Sequence, residues 1–279
     1  MLSQTEIDFF DTNGYLVIPG VLDQQTVSGL RSRILSIFES EEWKKSAFNS
    51  SQILAKVFDD FPEFIETILN ERVIHALEQL LGTTPVLLPE TAIHHRFYTG
   101  WHKDTTSQEK AGLDFHKKPG AKLLQCGYYL QDNDLHGGGL TVMKGSHLTS
   151  DHFQQPLPEW GTVKKIKRKL GLYNEEKDSS VNPHKHEIVD IRSKAGDFVI
   201  FNMCTSHRAT LPDNGRIGDV PSEKSKIAIF NAFAADNFSA EAYYNYIISR
   251  KEAFYQSLAD TTRSARLLEH AEKLKFIVK

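Results

Sequence analysis

The sequence predicts a mainly β core, a sandwich or a barrel, clothed by helices at both ends. Three observations predict it. Short runs of β-formers recur between residue 84 and about residue 235. Turn-forming clusters such as "DNDLHGGG", "KAGD" and "LPDNG" separate them. Apolar residues at helical spacing occupy the segments on either side.

Taken in order, Ser3 and Glu6 form a capping-box pair that opens a short helix, "SQTEIDFFDTNG", stopped at Gly14. "YLVIPGV" reads as a short buried strand. In "DQQTVSGLRSRILSIFES" the apolar residues Val27, Leu30, Ile34 and Ile37 follow a helical period. Residues 61 to 81 carry a second such pattern, ended by Gly82. The strands follow as "PVLLPETAIHHRFY", "KLLQCGYYLQD", "GLTVMKGS", "HEIVDI", "DFVIFNM" and "KIAIFNAFA". After "AADN" the chain is helical again. The expected organisation is one domain over 1–279, with N-terminal helices and a strand in 1–83, the β core in 84–235 and C-terminal helices in 236–279.

Composition excludes several classes. The 279 residues are 40% hydrophobic and 25% charged, which suits a globular protein with a substantial core. A formal net charge of -3 gives no global basic field for nucleic acid or an anionic membrane. No apolar run approaches the roughly 18 residues of a membrane span, and the polar, acidic start is unlike a secretory signal. Cys126 and Cys204 are too few for a disulfide framework. A cytoplasmic location is the expectation. The basic run "KKIKRK", residues 164 to 169, has no interleaved aromatic platform and reads as a solvated face. HExxH, P-loop and GxSxG motifs are missing.

The chemistry starts at "WHKD". Residues two apart on a strand share a face, so His102 and Asp104 project together. With 12 histidines in the chain, about one HxD triplet is expected by chance. A third ligand changes the weight: "AGDFVIFNMCTSH" is an apolar strand that ends at His207. Two histidines and one carboxylate can occupy one face of an octahedral metal, with three positions open, the arrangement of non-haem Fe(II) oxygenases. Singly, His207 also reads as an ordinary polar strand end. His184 and His186 in "HKH" lack an evident partner.

At this point a resemblance becomes specific. "GGGLTVMKGSHL", residues 137 to 148, resembles the Gly-Gly-x-Leu-x-x-x-x-Gly-Ser-His signature of the phytanoyl-CoA dioxygenase family. The opening residues 2 to 34 are similar to that family's N-terminus, and "KAGDFVIFNMCTSHRA" to the strand that delivers its second histidine. The resemblance runs from about residue 3 to residue 235. It implies a double-stranded β-helix, a cupin-like jelly roll, that uses Fe(II), 2-oxoglutarate and O2. It assigns His102, Asp104 and His207 as metal ligands and catalytic centre. Halogenases of the superfamily have a small residue at the carboxylate position, so Asp104 implies hydroxylation or a related oxidation. The glycines 137 to 139 and His147 read as parts of a tight turn.

The sequence departs from the family where an arginine would clamp the co-substrate. Arg216 has nearly the right spacing from His207 but sits in the loop "LPDNGRIGD". Lys226 opens the strand "KIAIFNAFA" and shares a face with Ala228, Phe230 and Ala232, so Lys226 is slightly preferred. Thr141 and Gln125 are further polar candidates by strand alternation. His94, Arg96 and Tyr98 would share the opposite strand face from His95 and Phe97. If they line the cavity, a polar or anionic small molecule suits it. Residues 105 to 122 form a candidate lid. The expected activity is therefore an Fe(II)/2-oxoglutarate-dependent dioxygenase acting on a small organic molecule. A non-redox cupin-type metal enzyme and a catalytically silent small-molecule-binding jelly roll are the alternatives. Substrate identity and oligomeric state are not in the sequence.

Overall fold

The computed structural model describes every residue except 47, 49, 154–161, 170–172 and 261, and omits the side chains of 164, 165, 168 and 169. Most of the basic run at 164–169 therefore lies outside the described side chains. In chain order the elements are α1 (Gln4–Asn13), β1 (Tyr15–Ile18), α2 (Gln24–Glu39), β2 (Ile53–Ala55), α3 (Val57–Asp60), α4 (Ile65–Ile68) and α5 (Glu71–Leu81). Next come β3 (Pro85–His95), α6 (Thr106–Lys110), β4 (Leu123–Tyr129), β5 (Leu140–Met143), α7 (Thr162–Lys169), β6 (Ile188–Asp190), β7 (Phe198–Asn202) and β8 (His207–Ala209). The chain ends with β9 (Ile227–Ala235), α8 (Phe238–Ser249), α9 (Ala253–Leu258), α10 (Ala265–Leu274) and β10 (Ile277–Val278).

Local chemistry sets the early elements. Ser3 and Glu6 exchange both capping-box hydrogen bonds at the start of α1. The helix stops at Gly14, whose φ of 80° only glycine adopts without strain, and Cβ there would meet His147 and Thr205. In α2, Val27, Leu30, Ile34 and Ile37 are the buried residues, as their spacing predicts. The single helical pattern expected over 61–81 is split. Asn70 breaks it by capping α5, accepting a hydrogen bond from the Val73 amide.

The large sheet has the order β1-β7-β4-β9-β3-β10, with β2 also paired to β3. The small sheet has the order β6-β5-β8. Two sheets of this kind form the jelly roll that the sequence predicts. The strand set is wider than residues 84 to 235, since β1, β2 and β10 join the large sheet from outside that range. β10 runs parallel to β3, with Ile277 beside Val86, a pairing too short to show in the sequence.

Alternation gives the large sheet two unlike faces. One packs Leu124, Cys126, Tyr128, Phe198, Ile200, Ile229 and Phe233 against Ile34, Ile37, Ile65, Leu77 and Leu267 of the helices. The other turns Glu90, Ala92, His94, Gln125, Tyr129 and Phe230 toward a cavity of about 440 Å³. Leu140, His207 and Ala209 of the small sheet close it from the far side. Among the described residues, no helix is long and apolar enough to cross a membrane.

Candidate metal centre

Residues 101 to 104 do not form a regular strand. They are held by single backbone contacts instead. The amide of His102 donates to the His207 carbonyl at 3.0 Å, and the His207 amide returns the bond at 2.8 Å. Two residues on, the Asp104 amide donates to the Met203 carbonyl at 3.0 Å. His102 and Asp104 face the cavity. Lys103 lines it too, but its buried ammonium is held by the carbonyls of Ser146 and Thr149, donating to each at 2.8 Å.

The side chains of His102, Asp104 and His207 converge. One ligand atom from each lies within 4.8 Å of the other two. Both Nε2 atoms stand 3.6 Å from Asp104 Oδ1, and the imidazole centroids are 4.2 Å apart. The tautomers follow from the partners of the other ring nitrogens. His102 Nδ1 lies 2.7 Å from the Gly100 carbonyl and His207 Nδ1 lies 2.9 Å from the Thr205 carbonyl. A carbonyl only accepts, so each Nδ1 carries the proton and each Nε2 turns a lone pair to the common point. Asp104 Oδ2 is buried with no hydrogen-bond partner. An orphaned carboxylate oxygen beside two converging nitrogen lone pairs fits a divalent cation of the first transition row.

Electrostatics agree. Burial pushes His207 down to about 4, and the His102 ring adds to this, so it is neutral near pH 7. Burial opposes the charge on Asp104, yet the two imidazoles outweigh it and hold the carboxyl below its usual range. Burial also acts against a charged His102, but the Asp104 contact wins and the shift is upward.

Lys226 is the other charged group of this end. It is 3% exposed and lines the cavity. Its ammonium donates to the Phe97 carbonyl at 2.8 Å and lies 5.3 Å from the Tyr98 ring and 6.0 Å from the Phe230 ring. Among the described residues it forms no ion pair with a carboxylate, and burial alone lowers its pKa to about 7. The triple glycine makes room for it. Gly137 and Gly138 have φ of 65° and 86°, and a Cβ on Gly138 would stand 3.2 Å from Lys226 Cβ. His147 does not close this turn. Its Nε2 reaches the Asp11 carbonyl at 3.0 Å and ties the segment to α1.

The remaining candidates separate. Gln125 lines the cavity, with Oε1 buried and unpartnered. Thr141 is fully buried but points the other way, because its neighbour Leu140 faces the cavity; its hydroxyl bonds Asp190 and Thr210. Arg216 is a surface residue with a side chain 78% exposed, beside Asp219 and outside the cavity wall. The strand expected through Tyr98 ends at His95. Arg96 has φ of 55°, which breaks the alternation, so His94 and Phe97 enter the cavity while Arg96 and Tyr98 do not. The His184 ring lies 5.9 Å from that of His186 and 6.3 Å from that of His152, and among the described residues they form no ligand group with an acid or cysteine.

Sequence reasoning missed several cavity residues. Glu90 lies on β3, Tyr243 on α8 and Phe254 and Tyr255 on α9. Thr106, Ser107 and Lys110 of α6 also line the cavity, so the segment expected to be a lid forms part of its wall.

Residues 10–211 match the phytanoyl-CoA dioxygenase (PhyH) family. The chain belongs to the phytanoyl-CoA dioxygenase family. Solved structures of similar fold include EctD from S. alaskensis with 2-oxoglutarate and 5-hydroxyectoine, at 16% identity and a TM-score of 0.59 over 84% of this chain and 76% of that one. EctD from the same source with bound Fe gives 18% and 0.60, over 84% and 77%. The non-heme alpha ketoglutarate dependent carbocyclase SnoK from nogalamycin biosynthesis gives 19% and 0.55, over 84% of both chains. At these identities the likeness is one of fold. No curated protein matches the sequence. Membership of the phytanoyl-CoA dioxygenase family supports a dioxygenase-type activity and leaves substrate and reaction open. The match ends at Leu211, so Lys226 and the aromatic residues of α8 and α9 lie beyond it.

Proposed function

We propose that this protein is an Fe(II)- and 2-oxoglutarate-dependent dioxygenase that hydroxylates, or otherwise oxidises, a small organic molecule. The carrying observation is the convergence of His102, Asp104 and His207 within 4.8 Å at the wall of a cavity large enough for a co-substrate and a small substrate. With its cofactors bound, such a centre couples decarboxylation of 2-oxoglutarate to succinate and CO2 with transfer of an oxygen atom from O2 to the substrate.

The chain's own residues prepare this chemistry. The Gly100 and Thr205 carbonyls fix both imidazoles with Nε2 toward the metal. Asp104 would supply the anionic ligand to the cation, which favours hydroxylation over halogenation. Lys226 offers a buried ammonium to the distal carboxylate of 2-oxoglutarate, while Gln125, paired with Ala232 farther along β9, lines the same cavity. Leu140, Phe201, Phe230 and Ala92 line the same space with apolar surface. Such a lining excludes water that would otherwise intercept a reactive intermediate.

The test adds Fe(II) and then 2-oxoglutarate to the protein without oxygen. A visible metal-to-ligand charge-transfer band is expected to appear only when both are present. His207→Ala should abolish it while the fold, read by circular dichroism, is retained. A wild-type protein that stays colourless with both compounds ends the proposal. A band that forms, followed by O2 consumption without succinate, ends the hydroxylase assignment.

A further inference from the structure

The metal and co-substrate readings leave the acidic group of β3 in the cavity wall unused. Glu90 sits where the pairing of β3 with β9 lapses, between Leu87 and Thr91. The residue is half-buried, and its side chain faces the cavity. The Tyr243 hydroxyl donates a hydrogen bond to it. No lysine, arginine or histidine among the described residues forms an ion pair with it. Arg250 contributes to its field, but that guanidinium is paired with Glu252 and lies 4.1 Å from the Tyr255 ring. Lys110 lines the cavity and is exposed. Burial, opposed by the Tyr243 hydrogen bond, pushes Glu90 up to about 7, as expected for a carboxylate short of a counter-ion.

The surroundings of Glu90 differ from those of Lys226. Glu90, Ala92 and His94 face the cavity in succession along β3, and the Lys226 carbonyl accepts from the Arg96 amide beyond them. Six residues of strand separate the two positions, on the order of 20 Å if fully extended, so Lys226 does not neutralise Glu90. Three aromatic residues, Tyr243, Phe254 and Tyr255, line the cavity together with Glu90. All three lie beyond residue 211, outside the family match, where members of a family are free to differ in specificity.

We propose that the substrate carries a cationic nitrogen, an ammonium or methylated ammonium group, which Glu90 binds against the aromatic wall of Tyr243, Phe254 and Tyr255. The inference rests on the oxygenase reading, which supplies the centre that oxidises the remainder of the molecule. A ligand cation gives the carboxylate its missing partner. The same charge is attracted to aromatic faces. An anionic substrate group would meet Glu90 and Asp104 instead. Of His94, Arg96 and Tyr98, from which a polar or anionic substrate was expected, His94 is in the cavity wall and the other two are not.

The test uses four probes of equal chain length: hexylammonium, hexyltrimethylammonium, hexanol and hexanoate. Each is titrated by calorimetry into anaerobic protein carrying Fe(II) and 2-oxoglutarate, and the charge-transfer band is recorded in the same samples. The two cations should bind roughly tenfold or more tightly than the alcohol and the carboxylate. Glu90→Gln, which keeps the size of the side chain and an acceptor for Tyr243, should remove that preference. Tyr255→Leu should weaken the trimethylammonium probe several-fold and leave hexanol unchanged. Equal binding of all four probes overturns the inference. So does tighter binding of hexanoate, an absence of cation binding, or a cation preference that persists in Glu90→Gln. If the band itself fails to form in the wild type, the oxygenase reading fails. A band without cation preference removes only the ammonium assignment.

Discussion

Leu124, Gln125, Cys126 and Tyr129 occupy one strand, yet they belong to two different environments. Leu124, Cys126 and Tyr128 face the helices, in a close-packed apolar layer with Phe198, Ile200 and Phe233. Gln125 and Tyr129 face the cavity. On the helix side the Tyr128 hydroxyl accepts from the Asn70 amide, and Asn231 Oδ1 is a buried atom without a partner among the described residues. The cavity side instead holds a buried ammonium, two carboxylates and the orphaned atoms Asp104 Oδ2 and Gln125 Oε1. The period of two that makes a strand half-buried therefore separates stability from chemistry residue by residue. Groups left unsatisfied in a folded protein mark where a ligand belongs.

Substitutions on the two faces should fail in opposite ways. Phe233 is fully buried against the helices. Phe233→Ala should lower unfolding free energy by roughly 3–5 kcal/mol, read from urea midpoints. The charge-transfer band should still form at temperatures where the variant is folded. Loss of the band from folded Phe233→Ala would show that the two faces are not separable.

Lys226→Met tests the cavity face. With its carboxylate partner gone, the Michaelis constant for 2-oxoglutarate should rise roughly thirtyfold or more, from about 2 kcal/mol of lost pairing. The ligand-free protein should be no less stable, because an uncompensated buried charge has been replaced by an apolar chain of similar length. A variant that loses both stability and co-substrate binding would make Lys226 a structural residue.

The same lysine predicts a pH dependence. Its folded pKa is near 7, against 10.5 for the unfolded chain. Between these values the unfolded state binds more protons, so stability of the ligand-free protein rises with pH across that window. The contribution is lost as pH falls through 7. The neighbouring His94 and His207 are held to about 3 and about 4, so they are neutral throughout. Urea midpoints of wild type and Lys226→Met should converge as pH rises from 7 to 10. Parallel curves would exclude Lys226 as the titrating group.

How much of this was legible follows from which interactions decide each feature. Capping and periodicity are local, so α1, α2 and most strands could be read directly. The metal triad was legible because its ligands are chemically distinctive residue types in an order that resembles a known family. Glu90 left a faint signal, since it shares strand parity with His94 in "PETAIHH". Parity alone gave no reason to choose the cavity side, and the backbone turn at Arg96 spoiled the same rule for Tyr98. Tyr243, Phe254 and Tyr255 left none. Their place depends on how α8 and α9 pack across the sheet, which no local pattern encodes.

Arg216 gives the smallest expected effect and the sharpest contrast with Lys226. Counting from His207, it sits nearer than Lys226 to the spacing at which the family carries its co-substrate arginine. In space it stands on a surface loop, with a side chain 78% exposed beside Asp219. An exposed ion pair of this kind contributes little to stability, and a guanidinium outside the cavity wall cannot reach a carboxylate bound within it. Arg216→Ala should therefore leave the charge-transfer band, the Michaelis constant for 2-oxoglutarate and the urea midpoint unchanged within error. A several-fold rise in that Michaelis constant would mean that the loop folds inward when the co-substrate binds. The anchor would then have to be reassigned from the strand to the loop.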